Sequence, residues 1–446
     1  MRRSLPVVGD LLAFQSDRLR FITSMHRDQG DVARFRLGPF PVWQLAHPDH
    51  VRSVLVTDAA GFRKGMVLQR AKIVLGDGLL TAEGDVHRHH RDLVQPAFHS
   101  RRIAGYSSVM IDRFADVSST WTPREPLDVH ASTVRMTVET AASTLLGTSV
   151  DVGTVEGALA DFLSAYKLAF LPFSQKLQGL PVGPLRRLQR GKSRLHGLVD
   201  TVVAERASSG HDGGDLLSAL VLGPDGDGAA LSSQELRDEA TTLLLAGHET
   251  TANTLAYALH LLAVHPSVQA AVQDEVDAVC GGGGSGGAGV PAPGDADRLP
   301  LCRAVVSEAL RLYPPSWMMG RQALVEHPVG PHVIQPGDLV LLPQWIVHHD
   351  ARWWPHPYSF DPSRWLSDGA GGGSGSSDRP RWAFFPFGAG LRRCIGEGFA
   401  WTEAVLGLAT IAGRWRLRPV PGRPLRLEPL ITLRPRGGLW LIPEPR

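Results

Sequence analysis

The stretch AFFPFGAGLRRCIGEGFA, residues 383–400, decides the reading of this 446-residue chain. It places Cys394, one of only three cysteines, among glycines and arginines at the start of an apolar run. Gly388 and Gly390 permit a tight turn with close approach of backbone. From Gly396 onward, GEGFAWTEAVLGLATIAG reads as a helix after a glycine-rich start. A cysteine just before a helix N-terminus, beside Arg392 and Arg393, has its thiolate favoured by the helix dipole and by positive charge. Such a thiolate is a nucleophile or a metal ligand. Against the first stands the want of a base or a resolving cysteine nearby. Against the second stands the want of further Cys or His ligands in the neighbourhood, unless a macrocycle such as haem supplies them.

The rest of the composition narrows the setting. With 43% hydrophobic residues the chain buries a sizeable core, and a net charge of +2 gives no bulk signal for nucleic acid or an anionic membrane. Cys280, Cys302 and Cys394 form neither a disulfide framework nor a zinc pattern, which fits a reducing cytoplasm. The N-terminal apolar run is broken by Gly9 and Asp10, too early for a signal peptide or a membrane anchor. ATTLLLAGHETTANTLAYALHLLAV (240–264) is long enough to span a bilayer, but His248, Glu249 and the threonines in its middle predict a buried helix of a soluble protein.

Along the chain, VARFRLGPFPVWQLA alternates apolar and polar residues around Gly38-Pro39, which predicts a hairpin and a small N-terminal sheet. Helical periodicity dominates from residue 51 to about residue 279. Two glycine-rich stretches, 281–289 and 369–377, read as surface loops within one domain covering 1–446. Ser232 and Glu235 form a candidate capping box for a helix running to the proline at 266, some thirty residues on. In its centre AGHETT combines a glycine with threonines, which weakens the helix where burial should be greatest. Read alone, this is either a tolerated kink or a functional opening. A later helix, LCRAVVSEALRLYPP, places Glu308 and Arg311 on one face, as a solvated ion pair would be.

Taken together, these segments resemble the cytochrome P-450 family. FGAGLRRCIG (387–396) meets all six fixed positions of the family's haem-binding loop, Phe-Gly-x-Gly-x-Arg-x-Cys-x-Gly, at Phe387, Gly388, Gly390, Arg392, Cys394 and Gly396. EALR looks like its Glu-x-x-Arg helix, FDPSRW like the segment supplying the third member of that network, Arg364, and AGHETT like its oxygen-activation motif. HRHHR is similar to the family's propionate-binding His-x-x-x-Arg, here His87 and Arg91. The motifs stand in the family's order and span most of the chain.

The resemblance implies a mainly α fold with small β-sheets: a triangular helical domain, a smaller β-rich lobe, and a long central helix over the haem. It implies haem b with Cys394 as axial ligand to iron, and Glu308, Arg311 and Arg364 as a buried network behind the cysteine loop. His87, Arg91, Arg321 and Arg392 would neutralise the haem propionates, and Ala246 and Gly247 would border the cofactor. A thiolate ligand favours cleavage of the oxygen–oxygen bond. The protons required would pass through Glu249 and Thr250, which favours a monooxygenase over a haem-binding protein without turnover.

The chain ends soon after its last strand-like segment, so electrons are expected from separate proteins, a ferredoxin and its reductase. Arg88, Arg381 and Arg393 are candidates for the docking face of an acidic ferredoxin. Met66, Val67, Leu68, Ala246, Trp317, Met318 and Met319 would face an apolar substrate, under a lid at 161–173. The loop wording resembles bacterial members allied with fatty-acid and terpene hydroxylases more than the His-Gly-containing loops of many others, so the expected substrate is a terpenoid of secondary metabolism or, as the alternative, a fatty acid. A monomer is expected.

Overall fold

The computed structural model describes residues 9–166, 183–222, 231–281, 289–366 and 379–446. Most of the glycine-rich stretch 281–289 and all of 369–377 lie outside these residues, as does the lid segment from 167 onward.

One helix organises the rest. Ser233–Val264 runs 32 residues, about 48 Å at 1.5 Å per residue. Its start is the capping box read from sequence: the Ser232 hydroxyl accepts from the Glu235 amide, and Glu235 accepts from the Ser232 amide at 2.9 Å. It ends where Pro266 opens the next helix, Pro266–Cys280, at a bend of 113°. Leucines and alanines between Leu236 and Leu245 pack into one hydrophobic cluster and those between Leu255 and Ala263 into another, so the helix is enclosed nearly all round, its buried polar residues included. Among the described residues no single helix is long and apolar enough to cross a membrane.

Three helices flank it. Val129–Ala141 is bound to it by polar pins: Thr137 Oγ1 donates to the His248 carbonyl at 3.1 Å, Thr133 Oγ1 to that of Ala252 at 3.0 Å, and His130 pairs with Asn253 at 2.8 Å. Pro300–Leu312 and Glu397–Arg414 also pack against it. These contacts hold the centre of the helix despite its glycine and threonines. The Thr250 hydroxyl bonds the Ala246 carbonyl at 3.2 Å, and the Thr251 hydroxyl reaches that of Gly247 at 3.4 Å.

The β-lobe is a five-stranded sheet in the order Val32–Leu37, Phe40–Leu45, Leu339–Leu342, Met319–Ala323, Phe62–Lys64. The predicted hairpin turns at Gly38-Pro39 with Leu37 opposite Phe40. The Phe40–Leu45 and Leu339–Leu342 strands are parallel and the other neighbours antiparallel. The last two strands place Lys64 opposite Arg321, a pairing with consequences for the site. A small separate hairpin, Leu427–Pro429 with Leu433–Pro435, points its tip toward the central helix.

Candidate active site

Between the middle of the long helix and the cysteine loop lies a cavity of about 470 Å³. Ala246, in the middle of the central helix, and Cys394, in the loop before Glu397–Arg414, both line it and both are exposed to it. The loop is folded by its own backbone: the Cys394 amide donates to the Phe387 carbonyl at 2.9 Å, and that of Gly388 to Phe385 at 2.9 Å. Gly388 and Gly390 have φ of +69° and +64°, and at Gly390 a Cβ would run into the Leu55 carbonyl. Gly396 caps Glu397–Arg414. Desolvation within the protein pushes the Cys394 thiol up to about 11, opposed by the Gly396 amide bonded to it and by Arg91 and Arg393. Free, this sulfur is a thiol. A ligated cation would turn it into a thiolate.

Behind the loop the Glu308 and Arg311 side chains are wholly buried, which overturns the reading of EALR as a surface pair. Arg311 holds Glu308 through two bonds at 2.6 and 2.8 Å and spends its remaining donors on the carbonyls of His348, Pro357 and Ser359. Glu308 also accepts from the Trp365 indole at 2.9 Å and the Asp361 amide at 3.1 Å, with Arg364 paired to it at 3.4 Å. The predicted triad is therefore assembled, and sequence reading missed how it reaches the cysteine. His348 Nε2 accepts from the Phe385 amide at 3.1 Å, and Gln344 donates to the Phe385 carbonyl at 2.6 Å. Neither residue belongs to a recognisable motif.

At the cavity's edge stands a concentration of positive charge. Arg321 and Arg392 line the cavity. Arg392 is paired with Glu83 and donates to the Ala82 carbonyl at 2.9 Å, a carbonyl it shares with Lys64 at 2.8 Å. Arg321 has no ion pair among the described residues, and burial with Arg392 nearby lowers it to about 10. Burial and Arg392 lower Lys64 to about 7. Burial with Arg392, Lys64 and Arg91 lowers His87 to about 3.

Arg91 belongs to the same cluster, beside His87 and Arg392, and one nitrogen of its guanidinium donates to the Arg393 carbonyl at 2.9 Å, which ties the Gly84–Val94 helix to the cysteine loop. The same helix is pinned to the central one by His90, buried against Glu239 at 2.6 Å. Lys64 stands in no recognisable motif, and His90 is not one of the two positions that His-x-x-x-Arg specifies.

These features suit an iron porphyrin with two carboxylates. A cationic cluster with a single acid in it lacks anions, the glycine turns carry the loop that exposes Cys394 to the cavity, and Ala246 lines the same space.

On the opposite wall Thr250 and Glu249 both line the cavity. Glu249 is buried and its pKa is raised by desolvation; its carboxylate accepts from Thr432 Oγ1 at 2.7 Å. A second buried acid went unnoticed in the sequence. Glu403 lies wholly inside, its pKa driven well above the carboxylate range by desolvation and drawn back only by Thr251.

Met66, Val67, Leu68, Met318 and Met319 line the cavity as predicted, as do Phe162 and Leu163 of the lid segment. Trp317 also lines it, though nearly fully enclosed, and acts as a strut, its indole N–H on the Leu430 carbonyl at 3.1 Å. The walls that sequence reading missed are Leu145, Leu243 and the hairpin tip, Leu430 to Thr432. The expected basic docking face is weaker than its arginines suggest. Arg88 pairs with Asp85 at 3.0 Å and Arg393 with Glu397 at 2.5 Å, while Arg381 lies over Trp382.

Comparison with known proteins agrees with this geometry. The family model described as Cytochrome P450 matches residues 1–442. The chain is 40% identical to cyclooctatin synthase of Streptomyces melanosporofaciens over 99% of its length and 94% of that protein. It is 38% identical to cyclooctat-9-en-7-ol 5-monooxygenase of the same organism, over 99% of this chain and 94% of that one. Pentalenene oxygenase of Streptomyces avermitilis is 32% identical, over 96% and 93%. In fold, the chain superposes on the retinoic acid-bound cyanobacterial CYP120A1 with a TM-score of 0.86 at 24% identity, covering 99% of this chain and 98% of that one. Motif order, a cavity that exposes one cysteine, and a match along nearly the whole length converge: the chain belongs to the cytochrome P450 family, whose cofactor is haem.

Proposed function

We propose that this monooxygenase oxidises a polycyclic terpenoid, drawing electrons from a ferredoxin and its reductase. The observation that carries the substrate class is the cavity wall above Ala246. It is built from Met66, Leu68, Leu243, Met318 and Ile431, with only hydroxyls and one buried acid among them. Such a wall binds by shape and apolar area, and methionines adapt it to a rigid ring system. The three relatives named for cyclooctatin, cyclooctat-9-en-7-ol and pentalenene support the same class.

Haem bound through a thiolate supplies the activation of dioxygen for insertion of one oxygen atom. Cys394 would hold the iron, and Arg321 and Arg392, which line the cavity, with His87 and Lys64 beside Arg392, would meet the propionates, the cations through charge-assisted bonds. Arg91 and the Glu308–Arg311–Arg364 network hold the loop that carries the sulfur. Thr250 Oγ1 is the last proton donor to the cavity, and Glu249 reloads it from behind. Burial favours the protonated carboxyl, so this acid has a proton to give. The apolar wall excludes bulk water and keeps protons on this route.

The test is turnover with surrogate ferredoxin, reductase and isotopically labelled dioxygen on pentalenene, cyclooctat-9-en-7-ol and palmitate. A terpenoid product carrying one labelled oxygen is expected. Oxidation of palmitate alone would contradict the assignment.

A further inference from the structure

We propose that Thr432 is a positioning residue for the proton relay, holding the carboxyl of Glu249 against the Leu427–Pro435 hairpin so that it can serve Thr250. The inference rests on the reading of Glu249 and Thr250 as that relay. Among the described residues, the Thr432 hydroxyl is the one hydrogen-bond partner of the Glu249 side chain, at 2.7 Å, and both residues are buried. A carboxyl on a helix has three rotatable bonds, so one fixed contact decides where its proton points. Arg434, two residues further on in the returning strand, is a nearby charge that partly offsets the desolvation of this carboxyl.

The hairpin is itself anchored to the substrate wall. Trp317 Nε1 donates to the Leu430 carbonyl at 3.1 Å, and the Leu433 amide to the Pro315 carbonyl at 2.8 Å. Leu430, Ile431 and Thr432 line the cavity together with Pro315 and Trp317. The surface that meets substrate is thus one hydrogen bond from the acid. Coupling of electron use to product then depends on how well the substrate seats the hairpin tip.

The experiment compares Thr432→Val, Thr432→Ser and Glu249→Gln in the haem-loaded enzyme. Haem content, the substrate-induced spin shift, the fraction of electrons recovered in product, peroxide release and the solvent deuterium isotope effect are measured for each. Thr432→Val is expected to load haem and show the spin shift. It should lose about fivefold to tenfold in coupling, the effect of one buried hydrogen bond, with more peroxide and a larger isotope effect. Thr432→Ser, which keeps the hydroxyl, should restore coupling. Wild-type coupling in Thr432→Val beside an uncoupled Glu249→Gln would overturn the positioning role alone. Equal uncoupling in the Val and Ser variants would also overturn it, since shape rather than the hydroxyl would then be at work. Wild-type coupling in both Thr432→Val and Glu249→Gln would overturn the relay on which it rests.

Discussion

The two walls of the cavity are built on opposite principles. The cysteine wall is held by charge and backbone hydrogen bonds: Glu308 alone accepts from Arg311, Trp365 and Asp361, and the loop glycines adopt left-handed geometry. The substrate wall is held by apolar contact from separate segments near residues 66, 145, 243, 318 and 431. A polar network is satisfied by one arrangement, whereas apolar walls tolerate volume-conserving exchange. One wall therefore fixes the chemistry, and the other is free to change with the substrate.

The largest break in this contrast should come from the network. In Glu308→Ala, Arg311 is left as an uncompensated buried cation, at a cost of about 3–5 kcal/mol. Purified protein should contain little haem, measured as the ratio of haem absorbance to protein. Full loading would show that the network does not support the loop. Met318→Leu, a volume-conserving change on the other wall, should leave loading intact.

Next comes the relay, where the two walls face each other. Thr250→Ala should keep haem and substrate binding and lower product formation by about a hundredfold, the low end for general acid–base assistance. Peroxide released per electron pair should rise. Unchanged coupling would remove Thr250 from proton delivery.

A smaller effect concerns Lys64, which burial and Arg392 lower to about 7 in the folded chain, against an ordinary 10.5. Between these values the unfolded chain binds the extra proton, so without cofactor this group makes stability rise with pH from about 7 to 10.5. A propionate beside it would restore the proton. Haem affinity should then fall as pH rises above about 7, by up to roughly tenfold per unit, and Lys64→Met should flatten that slope. A wild-type affinity independent of pH between 7 and 9 would exclude Lys64 from the propionate site.

The same contrast explains what could be read in advance. The cysteine loop and the Glu308–Arg311 pair are local: glycines at turns, charges three residues apart, a cysteine before a helix. The capping box at Ser232 and the hairpin at Gly38 are local too, and the helix and sheet they predict are present. Lys64 is invisible because its meaning lies in register, opposite Arg321 across two strands some 250 residues apart in sequence. Thr432 and Glu403 are invisible because a threonine in a short strand connection and a glutamate within a helix carry no signal until packing buries them. The motif marks Arg91 by its charge, and its further contact with the Arg393 carbonyl depends on how two elements dock.

The central claim is that Cys394 turns this cavity into a haem-thiolate centre. The most direct test is the absorption spectrum of the reduced protein under carbon monoxide, for the wild type and for Cys394→Ser. The account predicts the Soret band of a thiolate complex in the wild type and its loss in the serine variant. A band typical of histidine ligation in the wild type, or an unchanged spectrum in Cys394→Ser, would contradict it.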